Sequence, residues 1–459
     1  MWWLAWVALA SESPSESVEE SVGWVLTDVR VADALGERHV DALAVLDGRI
    51  VHVGDSVPEH GSWPTVDGGG TTVVPGLVDA HVHLSMTPGG AFAGLTREQD
   101  LDLWRHHLAA YVACGVVAVL DTGILLEDAE VIRELAAEGP SPTVRFLGPL
   151  VSPPGGYVHA VLPSFPPATD AATLVAQLEA FDPLEPIGVK VTMEDGMVRP
   201  IWPMLDPALR EVLKEQHRPL MVHAMDRHEY EAGIELGAAA FVHPPGEVDD
   251  ALVASLADTP VVSTLSVMDT MLHPAQPERL DDPLVQLVVP ALELEAAADP
   301  AVVKQSYLEV TKAVVPRLPG FMRGMVITMM ASARPVEKRL SELQASVKTL
   351  HDAGVPIVAG SDSGNWPVFL WEFHGPTTVR EVELLQDAGL TPAEALRAST
   401  LAGAELLGLD DELGTIEVGK RASFIVVEGD PLADVSALRT ARAVVLDGVL
   451  KTPAEWMGR

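Results

Sequence analysis

A single cysteine, Cys114, stands among 459 residues, which excludes an intrachain disulfide and any zinc site built on thiolates. A metal in this chain must therefore be held by histidine, carboxylate or a group derived from lysine. Basic residues are scarce: 30 Lys+Arg face 66 Asp+Glu, for a formal net charge of -36. That balance argues against nucleic acid or an anionic membrane as partner and leaves a small molecule as the expected ligand. It would also suit a protein kept soluble in high salt, which concerns habitat and not chemistry. No apolar run reaches the roughly 20 residues that a membrane span requires. Apolar residues are plentiful at 48% of the chain, enough for one large core and a second, smaller one.

Residues 1–22 read apart from the rest. Met1-Trp-Trp-Leu-Ala-Trp-Val-Ala-Leu-Ala10 ends in an Ala8-x-Ala10 pattern that resembles a signal-peptidase site, and an acidic Ser/Glu-rich linker follows. No Lys or Arg precedes the apolar part, and that part is short. Export to a periplasmic or extracellular space is the expectation, with a merely frayed N-terminus as the alternative.

From Gly23 the pattern is that of strands. Val40 to Leu46 and Arg49 to Val53 flank an Asp47-Gly48 turn, a strong hairpin signal. The C-terminal segment reads the same way over 414–420, 422–427 and 441–448. Neither end is long enough for a comfortable core, so residues 23–74 and 411–459 are expected to form one composite β-sandwich. Between them, over 75–410, short β-branched runs alternate with helical stretches, which implies parallel strands and crossover helices. Candidate strands fall at 76–84, 116–121, 143–148, 187–192, 219–224, 239–244, 260–266 and 355–362. The fold expected is therefore α/β, a (β/α)8 TIM barrel with a small β-sandwich domain, and such barrels present catalytic groups at the C-terminal ends of strands. A Met-, Pro- and Leu-rich insertion at about 266–335 exceeds one crossover and is expected to add a helical lid.

The chain is organised around Val73-Val-Pro-Gly-Leu-Val-Asp-Ala-His-Val-His-Leu84. On a strand, side chains at i and i+2 leave the same face with Cα atoms roughly 6.5 Å apart, so His81 and His83 can converge on one metal ion. A bare His-x-His is more often a pair of ordinary polar residues, but later strand ends also carry polar groups that an apolar core would not choose. Lys190 sits inside Ile187-Gly-Val-Lys-Val-Thr-Met193, where an unpartnered lysine is costly. It must be neutralised, paired with an acid such as Glu194 or Asp195, or carboxylated by CO₂ into a group able to bridge two cations. His223 and His243 end the next two strands, and Asp362 lies at a Gly-flanked turn after the last, where helix capping is the plain alternative. Imidazole and carboxylate suit borderline cations such as Zn²⁺. Two cations sharing a hydroxide would polarise a carbonyl and bring the pKa of the attacking water down to about 7, and Asp362 could move the proton.

These motifs resemble the amidohydrolase superfamily, in particular its imidazolonepropionase-like and Xaa-Pro-dipeptidase-like branch of metal hydrolases. Pro75-Gly-Leu-Val-Asp79-Ala-His81-Val-His83 is similar to the family's opening metal motif, and the run from Leu406 to Leu432 is similar to its return to the small β-domain. The resemblance implies that His81, His83 and Asp362 hold one divalent ion, that His223 and His243 hold the second, and that carboxylated Lys190 bridges them. Three departures stand out: Ala-Met-Asp follows His223, Pro153-Pro-Gly-Gly-Tyr-Val-His159 stands where Gly-Gly-His is usual, and Phe424 replaces an aspartate. Tyr157, His159 and Tyr230 are candidates for holding a substrate carbonyl or terminal carboxylate, and Arg199 for pairing with a carboxylate. His106, His107, His217, His228 and His351 carry no assigned role.

The function so implied is that of a binuclear metal-dependent amidohydrolase. Its substrate would be a dipeptide, an Xaa-Pro peptide or an N-acyl amino acid, with Asp362 as proton shuttle. The same centre could instead open a lactone, carbamate, ester, cyclic amide or phosphotriester. A non-catalytic binding protein would be expected to have lost a ligand, and none is lost here. Assembly into a homo-oligomer is left open by the sequence.

Overall fold

The structure, a computed structural model, describes residues 23–56, 63–196, 202–314 and 333–459. Residues 1–22, expected to be an export segment, Arg199 and part of the expected lid lie outside the described residues. None of the helices among the described residues is long and apolar enough to cross a membrane.

The first strands are β1 (Gly23–Asp33), β2 (Gly36–Leu46), β3 (Arg49–Gly54) and β4 (Thr65–Pro75). Next come β5 (Leu77–Val82), β6 (Val116–Asp121), β7 (Thr143–Phe146), β8 (Leu150–Val151) and β9 (Val189–Thr192). Then follow β10 (Leu220–His223), β11 (Ala240–Val242), β12 (Val261–Ser263) and β13 (Ile357–Ala359), and last β14 (Phe424–Val427), β15 (Ala441–Leu446) and β16 (Val449–Lys451). The two ends of the chain do pair, as β16-β15-β14-β4-β1-β2-β3, but they make one mixed seven-stranded sheet in place of the expected two-sheet sandwich. That sheet curls on itself: Ile50 N–H donates to the Lys420 carbonyl (2.9 Å) and Ala422 N–H to the Gly48 carbonyl (2.8 Å). The curl encloses a core of its own around Trp24, Leu43, Val45, Val73 and Phe424. Phe424 packs in this core, its ring 6.3 Å from that of Trp24.

The central chain forms parallel sheets of three strands, β5-β6-β7, and of six, β8 to β13. The third expected strand is therefore split. Pro149 has no N–H to give to a ladder, and the chain passes from β6 to β9 at Gly148, whose N–H donates to the Gly188 carbonyl (2.7 Å). On the other side the sheets meet where Asp362 N–H donates to the His81 carbonyl (2.8 Å) and His83 N–H to the Ser363 carbonyl (2.9 Å). Gly76 joins the curled sheet to β5 and must be glycine, because a Cβ there would lie 2.3 Å from Val117 Cγ1.

The insertion after β12 contributes the helices Leu265–Thr270, Pro283–Val288, Ala291–Ala298 and Pro300–Val314. It docks on the helix Arg97–Ala113 through two histidines. His106 Nε2 lies 2.7 Å from the Val288 carbonyl, and His107 Nε2 lies 2.5 Å from Glu293 Oε1. The His107 ring also packs on His374, centroids 4.1 Å apart. Burial pushes the Glu293 carboxyl up to about 8 and the His107 imidazole down to about 3. The folded chain thus keeps a proton on Glu293 that the unfolded chain releases above pH ~4.5, so this group lowers stability as pH rises toward about 8. His107 has the opposite effect, because the unfolded chain takes a proton below pH ~6.5 that the folded chain refuses. Glu293→Gln is expected to remove the alkaline part alone, shrinking the fall in Tm between pH 5 and pH 8 seen by calorimetry. An unchanged fall would place the titrating group elsewhere.

Candidate metal centre

Alternation along β5 sends Asp79 and His81 to one face, and His83 continues that face one residue beyond the strand. Asp79 fastens the motif across the closing seam, accepting from Ser361 N–H (2.9 Å) and from the Thr378 hydroxyl (2.5 Å). Lys190 lies within β9 beside Met221 of β10, and His223 ends β10 beside Thr192. His243 and Asp362 stand just past β11 and β13 with φ of 70° and 57°. Left-handed backbone costs on the order of 1 kcal/mol or more for residues other than glycine and gathers at functional sites.

The six expected ligands are all buried and meet in one cavity. His81 Nε2 and His83 Nε2 lie 3.0 and 3.2 Å from Asp362 Oδ1. His243 Nε2 faces His223 Nδ1 at 3.0 Å and Asp362 Oδ2 at 4.0 Å. His81, His243 and Asp362 each offer a ligand atom within 4.8 Å of the others. Lys190 Nζ and His81 Nδ1 are buried with no hydrogen-bond partner. Buried polar groups are normally satisfied, so donors converging around an orphaned amine fit divalent cations. The simple pairings weighed for Lys190 do not form: Glu194 accepts from His223 Nε2 (2.8 Å) and Asp195 pairs with His228 Nε2 (3.1 Å).

A second layer aims the rings. His83 Nδ1 lies 3.1 Å from the Gly123 carbonyl, which turns Nε2 toward Asp362 Oδ1. Thr264 Oγ1 sits 2.6 Å from His243 Nδ1, and Glu194 holds His223 by Nε2 so that Nδ1 turns inward. Such partners fix tautomer and orientation. Glu229 binds the loops after β9 and β10 together, accepting from Asp195 N–H (3.0 Å), Met225 N–H (2.7 Å) and Asp226 N–H (3.0 Å). Sequence reasoning missed Thr264 and Glu229 and weighed Glu194 only as an ion-pair partner; polar residues trailing the strand ends were the available signal. Glu194→Ala is expected to weaken retention of a cation by roughly 10–100-fold in chelator competition, with the unfolding transition of metal-free protein little changed.

Burial, with Lys190 beside it, pushes the His81 imidazole down to about 3, and burial with His223 beside it takes His243 well below its ordinary value. Both rings are therefore neutral donors at pH 7, as ligation requires. Burial would lower His83 too, but the hydrogen bond and charge of Asp362 reverse that. Burial alone would raise the Asp362 carboxyl; His81 and the hydrogen bonds from both histidines hold it well below its usual range. Burial brings the Lys190 amine down to about 7, against the pull of Asp362 and Asp121.

The three substrate candidates part company. Tyr157 lines the cavity, its ring 5.2 Å from that of His223, and burial followed by the charges of Glu194 and Asp362 keeps its hydroxyl protonated. His159 is on the same short helix, Tyr157–Val161, but does not line the cavity. Tyr230 does not line the cavity either. It lies fully buried on the helix Arg227–Leu236, stacked on Phe241 at 4.3 Å, and its hydroxyl donates to the His243 carbonyl (2.5 Å). Its contribution is to set the backbone of a candidate ligand.

The sequence profile of the amidohydrolase family matches residues 72–450. Over 69 residues the chain is 41% identical to a 5'-deoxyadenosine deaminase of Methanobrevibacter smithii, covering 15% of this chain and 16% of that protein. Over 113 residues it is 34% identical to an N-substituted formamide deformylase of Arthrobacter pascens, covering 23% and 21%. The chain thus spans about a fifth of the length of these curated relatives. A crystal structure of a Xaa-Pro dipeptidase with bound methionine superposes with a TM-score of 0.69 at 18% identity, over 94% of this chain and 99% of that one. At that identity the likeness carries the fold alone.

Proposed function

Because this chain belongs to the amidohydrolase family, we propose that it is a metal-dependent hydrolase of carbon–nitrogen bonds with a binuclear centre. The scaffold in this reading is a (β/α)8 barrel over 75–410, its parallel sheets joined on both sides, carrying the curled β-domain of 23–74 and 411–459. His81, His83 and Asp362 would hold one divalent cation of the zinc type. His223 and His243 would hold the second, and Lys190, as its CO₂-derived carboxylate, would be a ligand shared by the two. The observation that carries the reading is the meeting of these six side chains around an amine with no partner. An amine whose pKa is brought down to about 7 is roughly half unprotonated at neutral pH, and the unprotonated form is the one that can add to CO₂.

When bound, such cations supply a hydroxide near neutral pH and polarise a carbonyl. The protein's own groups do the rest. Asp362, ionised and oriented by the hydrogen bond from Asn365 Nδ2 (3.1 Å), accepts the proton of the attacking water and returns it to the leaving nitrogen. Tyr157 presents a hydroxyl able to donate to the carbonyl oxygen. The insertion, whose Met268, Met271 and Val310 line the cavity, keeps water from the reacting groups.

Elemental analysis of the purified protein tests the reading, with about two zinc-like ions per chain expected. One ion would point to a mononuclear hydrolase or deaminase. No ion, even after reconstitution, would defeat the catalytic reading.

A further inference from the structure

The helix Arg97–Ala113 holds together two parts of the protein that lie far apart in the chain. On one side it grips the insertion, with His106 Nε2 at 2.7 Å from the Val288 carbonyl and His107 Nε2 at 2.5 Å from Glu293 Oε1. On the other it grips the segment after β13: the Tyr111 hydroxyl lies 3.0 Å from His374 Nδ1, and the His107 ring packs on the His374 ring. His374 in turn sits behind the metal centre. Its Nε2 lies 2.8 Å from the carbonyl of Met86, whose N–H donates to the His83 carbonyl (3.2 Å). The same ring abuts Gly364, two residues after Asp362, where a Cβ would lie 2.7 Å from His374 Cε1 and 2.6 Å from the His83 carbonyl oxygen. His374 is thus wedged against the backbone that carries both His83 and Asp362. Tyr111, His107, Glu293 and His374 are all buried. Burial, with His107 beside it, pushes the His374 imidazole down to about 3, and His107 and Glu293 are likewise neutral near pH 7. A neutral, hydrogen-bonded chain in a close-packed interior passes a shift of one member on to the next.

We propose that His374 is a positioning residue of the metal centre and that, through His107 and Glu293, it couples the seating of the insertion to the hold of His83 and Asp362 on a cation. The coupling rests on the metal-dependent reading. Metal–ligand distances are exacting, to within about 0.2 Å, so a small shift of the backbone at Met86 and Gly364 is enough to loosen the cation. Linkage runs both ways: if the seated insertion tightens the site, a bound cation must tighten the insertion by the same factor. The insertion also lines the cavity with Met268 and Met271, so what a substrate does to its seating is felt at the cation.

The test uses the full-length protein with Zn²⁺ as the probe and needs no turnover. Retention of Zn²⁺ is measured by chelator competition in the parent, Tyr111→Phe, Glu293→Leu and Glu293→Gln. Tyr111→Phe removes one hydroxyl from the His374 contact, and Glu293→Leu takes the carboxyl from His107; each is expected to weaken retention at least about fivefold. Glu293→Gln, whose amide can keep a bond to His107, is expected to restore it to within about twofold of the parent. Hydrogen exchange across Pro283–Val288 and Ala291–Ala298 supplies a readout that plain structural support would not move. Added Zn²⁺ is expected to slow it at least about fivefold in the parent and clearly less in Glu293→Leu. Retention within about twofold of the parent in either Tyr111→Phe or Glu293→Leu would overturn the proposal, as would exchange in the insertion that Zn²⁺ leaves unchanged. Should Glu293→Leu not fold, Tyr111→Phe and the exchange measurement decide. A parent that binds no Zn²⁺ would defeat the metal-dependent reading and the coupling with it, whereas a parent that binds Zn²⁺ no better than these variants would defeat the coupling alone.

Discussion

Asp362→Asn is expected to lower kcat/KM on any amide that the protein hydrolyses by roughly 10²–10⁴-fold, the range of a positioned proton-transfer group. Asparagine keeps the shape and one carbonyl oxygen of the side chain but cannot accept and return a proton. It is also the substitution the backbone allows. Asp362 has φ 57°, and asparagine enters the left-handed region more readily than other residues with a Cβ. Alanine would confound chemistry with strain. Asp362 Oδ1 lies against His81 and His83 at 3.0 and 3.2 Å, so the loss of its charge also weakens whatever cation those rings hold. Metal content must therefore be measured beside the rate. A variant that keeps its metal, shows the parent's circular dichroism and loses most of its activity would place Asp362 in the proton path. Activity within about tenfold of the parent at full metal content would remove it.

Much of this centre is written locally in the sequence, and the reason is physical. A polar residue at the end of an apolar run of four to six residues has few structural uses, so His81, His83, Lys190, His223 and His243 stand out against their strands. Tyr230 carries no such local mark. It follows the loop after His223 and reads as a loop residue near the site, whereas the helix Arg227–Leu236 turns it inward onto Phe241. The contact between His107 and Glu293 spans 186 positions, and nothing local to either residue announces it. Backbone curvature was equally hidden. The terminal strands have the alternation of a sandwich, but the hydrogen bonds from Ile50 to Lys420 and from Ala422 to Gly48 bring the two arms of one sheet together. The break in the third expected strand, by contrast, could have been read from Gly148-Pro149, because a proline without an N–H interrupts a ladder. Left-handed backbone at His243 and Asp362 has no signature in residue type alone and appears only in three dimensions.

The second large effect is expected at Lys190, where Lys190→Ala should drop the metal content of purified protein from about two ions per chain to one or fewer and reduce kcat/KM by at least ~100-fold. The fold should survive, because what is removed is a buried amine without a hydrogen-bond partner, and an uncompensated polar group contributes nothing to stability. The truncation leaves a space in the cavity that His81, His223 and Asp362 also line, where a carboxylate stood in the proposed centre. Added acetate or propionate is therefore expected to restore part of the metal content and the rate, while chloride at equal ionic strength restores neither. Growth of the parent protein on ¹³C-bicarbonate should give a carbamate carbonyl resonance that is absent from the variant, which reports the modification without any turnover. Two ions in Lys190→Ala, with the parent's rate, would take this lysine out of the centre. The unpartnered amine would then be a plain desolvation cost, and His81, His83, His223, His243 and Asp362 would hold their cations without a shared ligand.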